Sequence, residues 1–135
     1  MNFVDTSVWV EFFRSGGNRI VRSDLQSLIQ TDNVAITEWI ILELMAGIRT
    51  TETASQLLDR LAHVRRLPFP DNGWNQAWDL AARLRKAGIS PSAADCYIAT
   101  VAMEHDVTLV HCDADFEMIA KHQKNLRTLA WTKKE

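Results

Sequence analysis

Short apolar segments alternate with helical segments along the chain, and this alternation constrains the fold more than any other feature of the sequence. Three runs have the length and composition of buried strands, at residues 3–4, 33–36 and 107–110. Strand–helix alternation of this kind is typical of a mostly parallel sheet that is covered by helices on both faces. We therefore expect an α/β fold with three layers, a central sheet of four to five strands, and a single domain over residues 1–135.

Apolar residues recur at helical spacing between these strands. The predicted helices lie at about residues 8–13, 20–29, 38–49, 57–64, 74–87, 93–105 and 116–121, and two further strands at 65–70 and 126–129. Thr37 and Thr51 are placed to cap the third and fourth helices, and Gly88 to end the fifth. Trp74 and Trp78 share a helix face, and we expect them in the core or in an interface.

The composition of the chain predicts a cytoplasmic protein. The chain is 47% apolar, yet its apolar runs are short and interrupted by charges, so we expect no membrane span. No charged and apolar leader precedes the first strand, which predicts no signal peptide. Cys96 and Cys112 form no metal-binding spacing, and reduced thiols in a cytoplasmic protein are the simplest interpretation.

Two predicted strands end on carboxylates. Asp5 follows the first strand and precedes a helix, so it lies at the carboxyl edge of the sheet, where α/β proteins bind ligands. Aspartate is also a favoured helix N-cap, and the position fits a cap and a binding site equally well. Asp113 and Asp115 follow the strand at residues 107–110, where a turn and a helix N-terminus would also explain them.

Two further acids lie on predicted helices. Glu43 stands among apolar residues, where a carboxylate needs a partner unless it lies on the polar edge of the helix. Asp95 follows Ser92 by three residues, as in a capping box, yet the helix that it begins is almost entirely apolar. Helix-dipole compensation is sufficient to explain Glu38, which lies in a first helical turn.

Together these acids fit a divalent metal site. Carboxylates gathered from two strand ends and two helices repel one another unless a cation neutralises them. Mg²⁺ and Mn²⁺ prefer oxygen ligands, with waters and substrate phosphates completing the shell. The net charge of −2 is unusual for a nucleic-acid-binding protein. If five of the 17 acids bind metal, however, the others are fewer than the 15 lysines and arginines, which permits a phosphate-bearing substrate.

Other residue types are less informative. The four histidines show no metal-pair spacing, although His111 directly precedes the acids and could contact substrate. Ser7 has no evident histidine partner and no nucleophile-elbow setting, which argues against a hydrolase triad. The sequence also contains no P-loop and no dinucleotide-binding glycine motif.

Four acid-containing motifs follow one another along the chain. They are Asp5-Thr6-Ser7-Val8-Trp9, Glu43-Leu44-Met45-Ala46-Gly47, Ala94-Asp95-Cys96-Tyr97-Ile98-Ala99 and Leu109-Val110-His111-Cys112-Asp113-Ala114-Asp115-Phe116. In this order and spacing they resemble the motifs of the PIN domain family, specifically the VapC-type toxin ribonucleases of type II toxin–antitoxin pairs. Any one motif is weak evidence, whereas four in order form a specific pattern that covers nearly the whole chain.

The resemblance implies a PIN-like fold and a metal-dependent endoribonuclease that hydrolyses RNA phosphodiester bonds. The implied catalytic and metal-binding residues are Asp5, Glu43, Asp95 and Asp113, with Asp115 assisting and the hydroxyl of Thr6 or Ser7 hydrogen-bonded in the site. One or two Mg²⁺ or Mn²⁺ ions would lower the pKa of a bound water that attacks phosphorus in line, and Asp95 would help to orient that water. Because family members vary in the fourth motif, Asp113 and Asp115 both stay open as the direct ligand.

The family also implies partners. A cognate VapB-type antitoxin would lay a segment across the helices beside the site and block it. Homodimerisation is common in the family, and the apolar helices around Trp39 and Leu57 could serve for it. Arginines outside the acid cluster, such as Arg14, Arg49 or Arg85, would hold the RNA backbone. The sequence leaves open the RNA target, the cleavage motif, the antitoxin and the number of metal ions.

Two other functional classes deserve comparison. A phosphatase of the haloacid dehalogenase type also places an aspartate after its first strand, but it needs a second aspartate two residues later, where this chain has Ser7. A PIN-like scaffold that binds RNA or protein without cutting is the other alternative. The presence of every expected acid favours the nuclease.

Overall fold

The computed structural model describes residues 1–47 and 52–131, and its described strands form one sheet with every pair parallel. The strands are β1 (Asn2–Val4), β2 (Val34–Ile36), β3 (Arg65–Arg66), β4 (Thr108–His111) and β5 (Thr128–Ala130). Their order across the sheet is β3-β2-β1-β4-β5. The expected mostly parallel sheet of four to five strands is therefore confirmed, with five strands present.

Seven described helices flank this sheet. They are α1 (Thr6–Phe13), α2 (Arg19–Gln30), α3 (Glu38–Gly47), α4 (Ala54–Leu61), α5 (Gly73–Lys86), α6 (Ala93–Glu104) and α7 (Ala114–Lys121). Right-handed crossovers assign α1 to α4 to one face of the sheet and α5 to α7 to the other. The packing agrees, because α1 contacts α2 and α3, whereas α6 contacts α5 and α7.

Strand β1 lies at the centre of the sheet, where the strand order reverses. Phe3 pairs with Ala35 of β2 on one side and with Leu109 of β4 on the other. All three of these side chains are fully buried, as a central parallel strand requires. A reversal of strand order opens a crevice at the carboxyl ends of the strands, here between β1 and β4.

Several helix ends differ in detail from the prediction. Thr51 lies outside the described residues, and the side chain that caps α4 is Thr53, which forms a capping box with Gln56. The expected end of the third helix near Arg49 also lies outside the described residues. Gly88 ends α5 as expected, with a φ of 86° that a glycine adopts without strain.

The exposure of two tryptophans contradicts the prediction that they lie in the core. Trp74 and Trp78 were expected in the core or in an interface, but they are 55% and 60% exposed on α5. Trp74 packs at its edge against Phe69, with ring centroids 4.8 Å apart. These tryptophans are therefore surface residues, and the apolar side of α5 is supplied by Ala77, Leu80 and Leu84 instead. Among the described helices, none is both long enough and apolar enough to cross a bilayer.

The buried hydroxyl of Thr37 predicts a local stability effect. Thr37 is fully buried after β2, and its hydroxyl donates to the carbonyl of Leu67 at 2.8 Å. Thr37→Val keeps the shape but leaves that carbonyl unpaired, so urea unfolding should show a loss of about 1–2 kcal/mol. Thr31→Val is the control, because its hydroxyl bonds exposed carbonyls and should change stability by less than about 0.5 kcal/mol. Equal losses in the two variants would contradict this account.

Candidate active site

The loops after β1 and β4 meet at the crevice and are held together by hydrogen bonds. The backbone N–H of Asp5 donates to the carbonyl of Val110 at 2.9 Å. The hydroxyl of Ser7 donates to Asp5 Oδ2 at 2.7 Å and accepts from the backbone N–H of Cys112 at 3.0 Å. Ser7 therefore joins the carboxylate after one strand to the loop after the other, and it fixes the orientation of Asp5.

Three helices begin at this group of aspartates. Asp5 caps α1 by accepting from the N–H of Ser7, and Asp113 caps α7 by accepting from the N–H of Asp115. Asp95 lies in the first turn of α6, where its N–H donates to the Ser92 hydroxyl at 3.0 Å. The helix-cap interpretation of Asp5 and Asp113 is thus correct, and it does not compete with their place in the cluster.

The aspartates share one electrostatic field. Burial raises the pKa of Asp5 above its ordinary value, against the lowering effect of hydrogen bonds from Ser7 and Thr6, and the charge of Asp113 adds to the rise. The pKa of Asp95 is raised to about 6. Burial is the largest cause, and the charges of Asp113, Asp5 and Asp115 raise the pKa further, in that order. The charge of Asp113 raises the pKa of both Asp5 and Asp95. Asp115 is exposed, and its charge has the smallest effect on the pKa of Asp95.

Glu43 reaches the same region from α3. The hydroxyl of Thr6, the first residue of α1, donates to Glu43 Oε1 at 2.7 Å. Because Thr6 directly follows Asp5, this bond brings the carboxylate of the third helix to the rim of the crevice. Glu43 is half-buried, and its apolar helix neighbours Ile40, Ile41 and Leu44 face the core.

The donor set has the chemistry that a hard divalent cation requires. All the acids offer carboxylate oxygens, which Mg²⁺ and Mn²⁺ prefer. Burial is the main cause of the raised pKa of Asp95, and the charge of Asp113 adds to it. Within residues 1–47 and 52–131, no three His, Cys, Asp or Glu side chains already stand close enough together to hold a metal ion. The residues fit such an ion by the type of their donor atoms.

His111 does not contact the crevice as the sequence suggested. Its side chain is only 1% exposed, so the hypothesis that it touches substrate is wrong. Its ring lies instead between Glu117 and the backbone of Asp113. The sequence contains no direct signal for this arrangement, because the partners are a neighbouring helix and a loop. A histidine that ends a buried strand was the single hint.

The PIN domain family profile matches residues 3–122, a segment that contains every acid of the crevice. The chain belongs to the PIN domain family. Ribonuclease VapC11 of Mycobacterium tuberculosis strain H37Rv is 33% identical over 130 residues, which cover 90% of this chain and 92% of that protein. The VapC ribonuclease Mb1587 of Mycobacterium bovis is similar to the same extent. The resemblance to VapC-type members of the family is thereby confirmed.

Solved PIN domain structures have the same fold. FitAcB from Neisseria gonorrhoeae superposes with a TM-score of 0.74 at 26% identity and covers 96% of each chain. VapBC2 from Rickettsia felis, bound to a DNA fragment from its promoter, gives a TM-score of 0.76 at 20% identity, covering 97% of this chain and 98% of that one. The expected PIN-like three-layer fold is confirmed by these similarities.

The acids of this PIN domain predict a pH-dependent stability. Asp95 has a folded pKa of about 6 against an ordinary value of 3.8, so between these values the folded chain binds more protons than the unfolded chain. Stability therefore falls as the pH rises through this window, and the raised pKa of Asp5 acts in the same direction. Urea unfolding in EDTA from about pH 4 to 7 should show this loss.

A matched pair of variants tests the origin of this slope. Asp95→Asn should flatten the profile, because it removes the proton that the folded state retains. Asp79→Asn changes an exposed aspartate on α5 and should leave the slope as it is. Stability that instead rises between about pH 4 and 6 in the unmodified protein would contradict the assigned direction.

Proposed function

We propose that this PIN domain is a metal-dependent endoribonuclease, the toxin of a toxin–antitoxin pair, which hydrolyses RNA phosphodiester bonds. The observation that carries the proposal is that Asp5, Asp95 and Asp113, from separate parts of the sequence, lie near enough for the charge of Asp113 to raise the pKa of both other acids. Relatives named as ribonucleases, matched over nine-tenths of the chain, support the choice of RNA as substrate. The match to the PIN domain family favours the nuclease over a haloacid dehalogenase-type phosphatase.

The proposed metal ligands are Asp5, Glu43, Asp95 and Asp113, with Asp115 in an assisting position. A bound Mg²⁺ or Mn²⁺ would supply an activated water and stabilise the negative charge that develops on the phosphate. Asp113 is the better candidate than Asp115 for the direct ligand, because its charge acts on both Asp5 and Asp95. Asp115 is exposed and acts only weakly on Asp95.

The other residues of the site prepare these carboxylates. Ser7 holds Asp5 in one orientation, and Thr6 holds Glu43 at the rim. Asp95 is proposed to help orient the water that the bound metal would activate. Holding these groups in place before substrate arrives reduces the entropic cost of reaching the transition state.

Arginines are proposed to hold the RNA backbone. Arg14 already bonds Glu11, with Nη2 and Oε1 2.9 Å apart, so it is partly committed to a structural role. Arg85 is exposed on α5 and stays a candidate, and Arg49 lies outside the described residues. Contacts of this type strengthen binding to any RNA sequence and weaken as the salt concentration rises.

An antitoxin is the proposed protein partner. The similar solved structures include the toxin–antitoxin complex VapBC-5 from Mycobacterium tuberculosis. Next to α1, whose first turn follows Asp5, a cavity of about 170 Å³ is lined by Trp9, Phe12, Phe13, Gln26, Ile29 and Arg60. The Arg60 guanidinium lies 5.0 Å from the ring centroids of both Phe12 and Phe13. Such an aromatic cavity suits an apolar anchor of an inhibitory segment.

Homodimerisation is also proposed, through α3, which carries Trp39 as expected, and through α5 in place of the helix around Leu57. Leu57 itself is only 3% exposed and packs in the core. The apolar residues that are exposed on the neighbouring surfaces are Leu42 on α3 and Trp74 and Trp78 on α5. Tryptophan is enriched at protein interfaces relative to the rest of the protein surface.

Two glutamates on α3 provide a matched test of the nuclease. Glu43→Gln removes a proposed ligand and should lower RNA cleavage at least about 100-fold, since metal stabilisation of the transition state amounts to several kcal/mol. Glu38→Gln changes an exposed glutamate in the first turn of the same helix and should keep activity within about threefold. Asp5→Asn and EDTA should also abolish cleavage. Mn²⁺ calorimetry should show binding by the unmodified protein and by Glu38→Gln, and weaker or no binding by Asp5→Asn and Glu43→Gln.

Other results would point elsewhere. Cleavage that persists in EDTA or in Asp5→Asn would remove the metal mechanism. RNA binding without cleavage, in protein that binds Mn²⁺ poorly, would support the scaffold alternative. Mapping of RNA ends after induction in cells, beside the Asp5→Asn form, would identify the cleaved RNA.

Analytical ultracentrifugation tests the proposed dimer surface. Trp78→Gln should shift the protein towards monomer, because it removes a large exposed apolar contact from α5. Leu58→Gln alters an apolar residue of α4 that is 45% exposed, and it should leave the dimer intact. An unmodified protein that sediments as a monomer at high concentration would contradict the dimer itself.

A further inference from the structure

A partly buried chain of hydrogen bonds ends on the backbone of Asp113. Thr128 of β5 donates its hydroxyl proton to Glu117 Oε1 at 2.9 Å. The same oxygen lies 2.8 Å from His111 Nε2. On the other side of the ring, the backbone N–H of Asp113 donates to His111 Nδ1 at 3.1 Å. The chain thus runs from the edge strand, through one side chain of α7, to the loop that carries a proposed metal ligand.

These bonds determine which imidazole nitrogen carries the proton. A backbone N–H can only donate, so His111 Nδ1 must be the acceptor and carry no proton. The neutral ring then has its proton on Nε2, which donates to the carboxylate of Glu117. Hydrogen bonds from His111 and Thr128 lower the pKa of Glu117, which keeps that carboxylate ionised and ready to accept.

Asp113 is also held at the start of α7, where its carbonyl accepts from the N–H of Phe116 at 3.3 Å. Its side chain caps α7 through the N–H of Asp115, and its N–H reaches only as far as the His111 ring two residues earlier. The His111 side chain is 1% exposed, and the Phe116 ring lies beside it with centroids 5.4 Å apart. A packed ring with a fixed tautomer is therefore a rigid acceptor at the point where β4 ends.

We propose that His111 is a positioning residue, whose Nε2-protonated ring, fixed by Glu117 and Thr128, holds the Asp113 backbone in the orientation that the carboxylate cluster needs. It touches neither substrate nor metal. The inference rests on the proposed function for the role of Asp113, but the hydrogen-bond chain itself can be measured without any metal. Contacts that orient metal ligands from behind in this way change metal affinity or activity by about 10- to 100-fold when they are removed.

Two substitutions separate the two ends of the ring. The amide oxygen of His111→Asn stands near the place of Nδ1, so this variant retains an acceptor for the Asp113 N–H and loses the contact with Glu117. The amide of His111→Gln reaches the place of Nε2, so this variant retains the bond to Glu117 and loses the acceptor for Asp113. Both replace the same buried ring with a smaller amide, which makes each the control for the lost packing of the other.

Nuclear magnetic resonance of metal-free protein reads the hydrogen bonds directly. Imidazole nitrogen shifts of the unmodified protein should show the proton on Nε2, and the Asp113 amide proton should have a hydrogen-bonded shift. That shift should persist in His111→Asn and move upfield in His111→Gln. A proton on Nδ1 in the unmodified protein, or an unchanged Asp113 amide in His111→Gln, would overturn the proposal.

Calorimetry with Mn²⁺ alone then measures the consequence. His111→Asn should bind Mn²⁺ within about threefold of the unmodified protein, whereas His111→Gln should bind about 10- to 100-fold more weakly. RNA cleavage should follow the same order, with a lower kcat in His111→Gln and an unchanged KM for RNA. Equal affinities in the two variants would overturn the positioning role.

The two proposals fail in distinguishable ways. If unmodified protein neither binds Mn²⁺ nor cuts RNA, the proposed function is wrong, while the tautomer and the Asp113 amide still decide whether the hydrogen-bond chain exists. If the unmodified protein does both and His111→Gln is equally active, only the role of His111 is wrong. Should the buried substitutions prevent folding, Glu117→Ala tests the same chain from a half-exposed residue. Nδ1 still accepts from the Asp113 N–H in this variant, so the Nε2 tautomer should persist while the ring is held less firmly and Mn²⁺ binds more weakly. An unchanged Mn²⁺ affinity would count against the proposal.

Discussion

Burial of Asp5 and Asp95 near the charge of Asp113 is the constraint on which the rest of this site depends. Burial raises the pKa of Asp5 and of Asp95, and repulsion by Asp113 adds to the rise. Asp5 and Asp113 stay close together because β1 and β4 are paired and the Ser7 hydroxyl bridges the loops that follow them. A divalent cation is the natural counterpart of such an arrangement.

Helix N-termini partly offset this repulsion. The first turns of α1, α6 and α7 all begin at the aspartate cluster, and each presents backbone N–H groups and the positive end of a helix dipole. Asp5 and Asp113 thus each cap a helix and present a carboxylate to the cluster, because the hydrogen bond that caps the helix also orients the carboxylate. This explains why sequence patterns for a cap and for a ligand coincide at the same residues.

Some expectations from the sequence failed for a common reason. His111 was a candidate for contact with substrate, and the core was one of the two places expected for Trp74 and Trp78. Each depends on which side of an element faces a neighbour, and helical or strand spacing does not specify that neighbour. The His111 side chain lies inside because its ring bonds Glu117 of α7, whose carboxylate is in turn bonded by Thr128 of β5. The exposed tryptophans show that a shared helix face can be the outer one.

The sequence by itself determined the alternation of strands and helices, and hence the parallel sheet, because hydrophobic periodicity is a local property of the chain. It also determined which acids follow strands, and so which edge of the sheet they occupy. Only the tertiary structure decided that Asp113 acts on both Asp5 and Asp95, that Thr6 bonds Glu43, and that His111 holds the Asp113 backbone. These contacts join residues whose separation depends on strand order and helix packing, which no local pattern encodes.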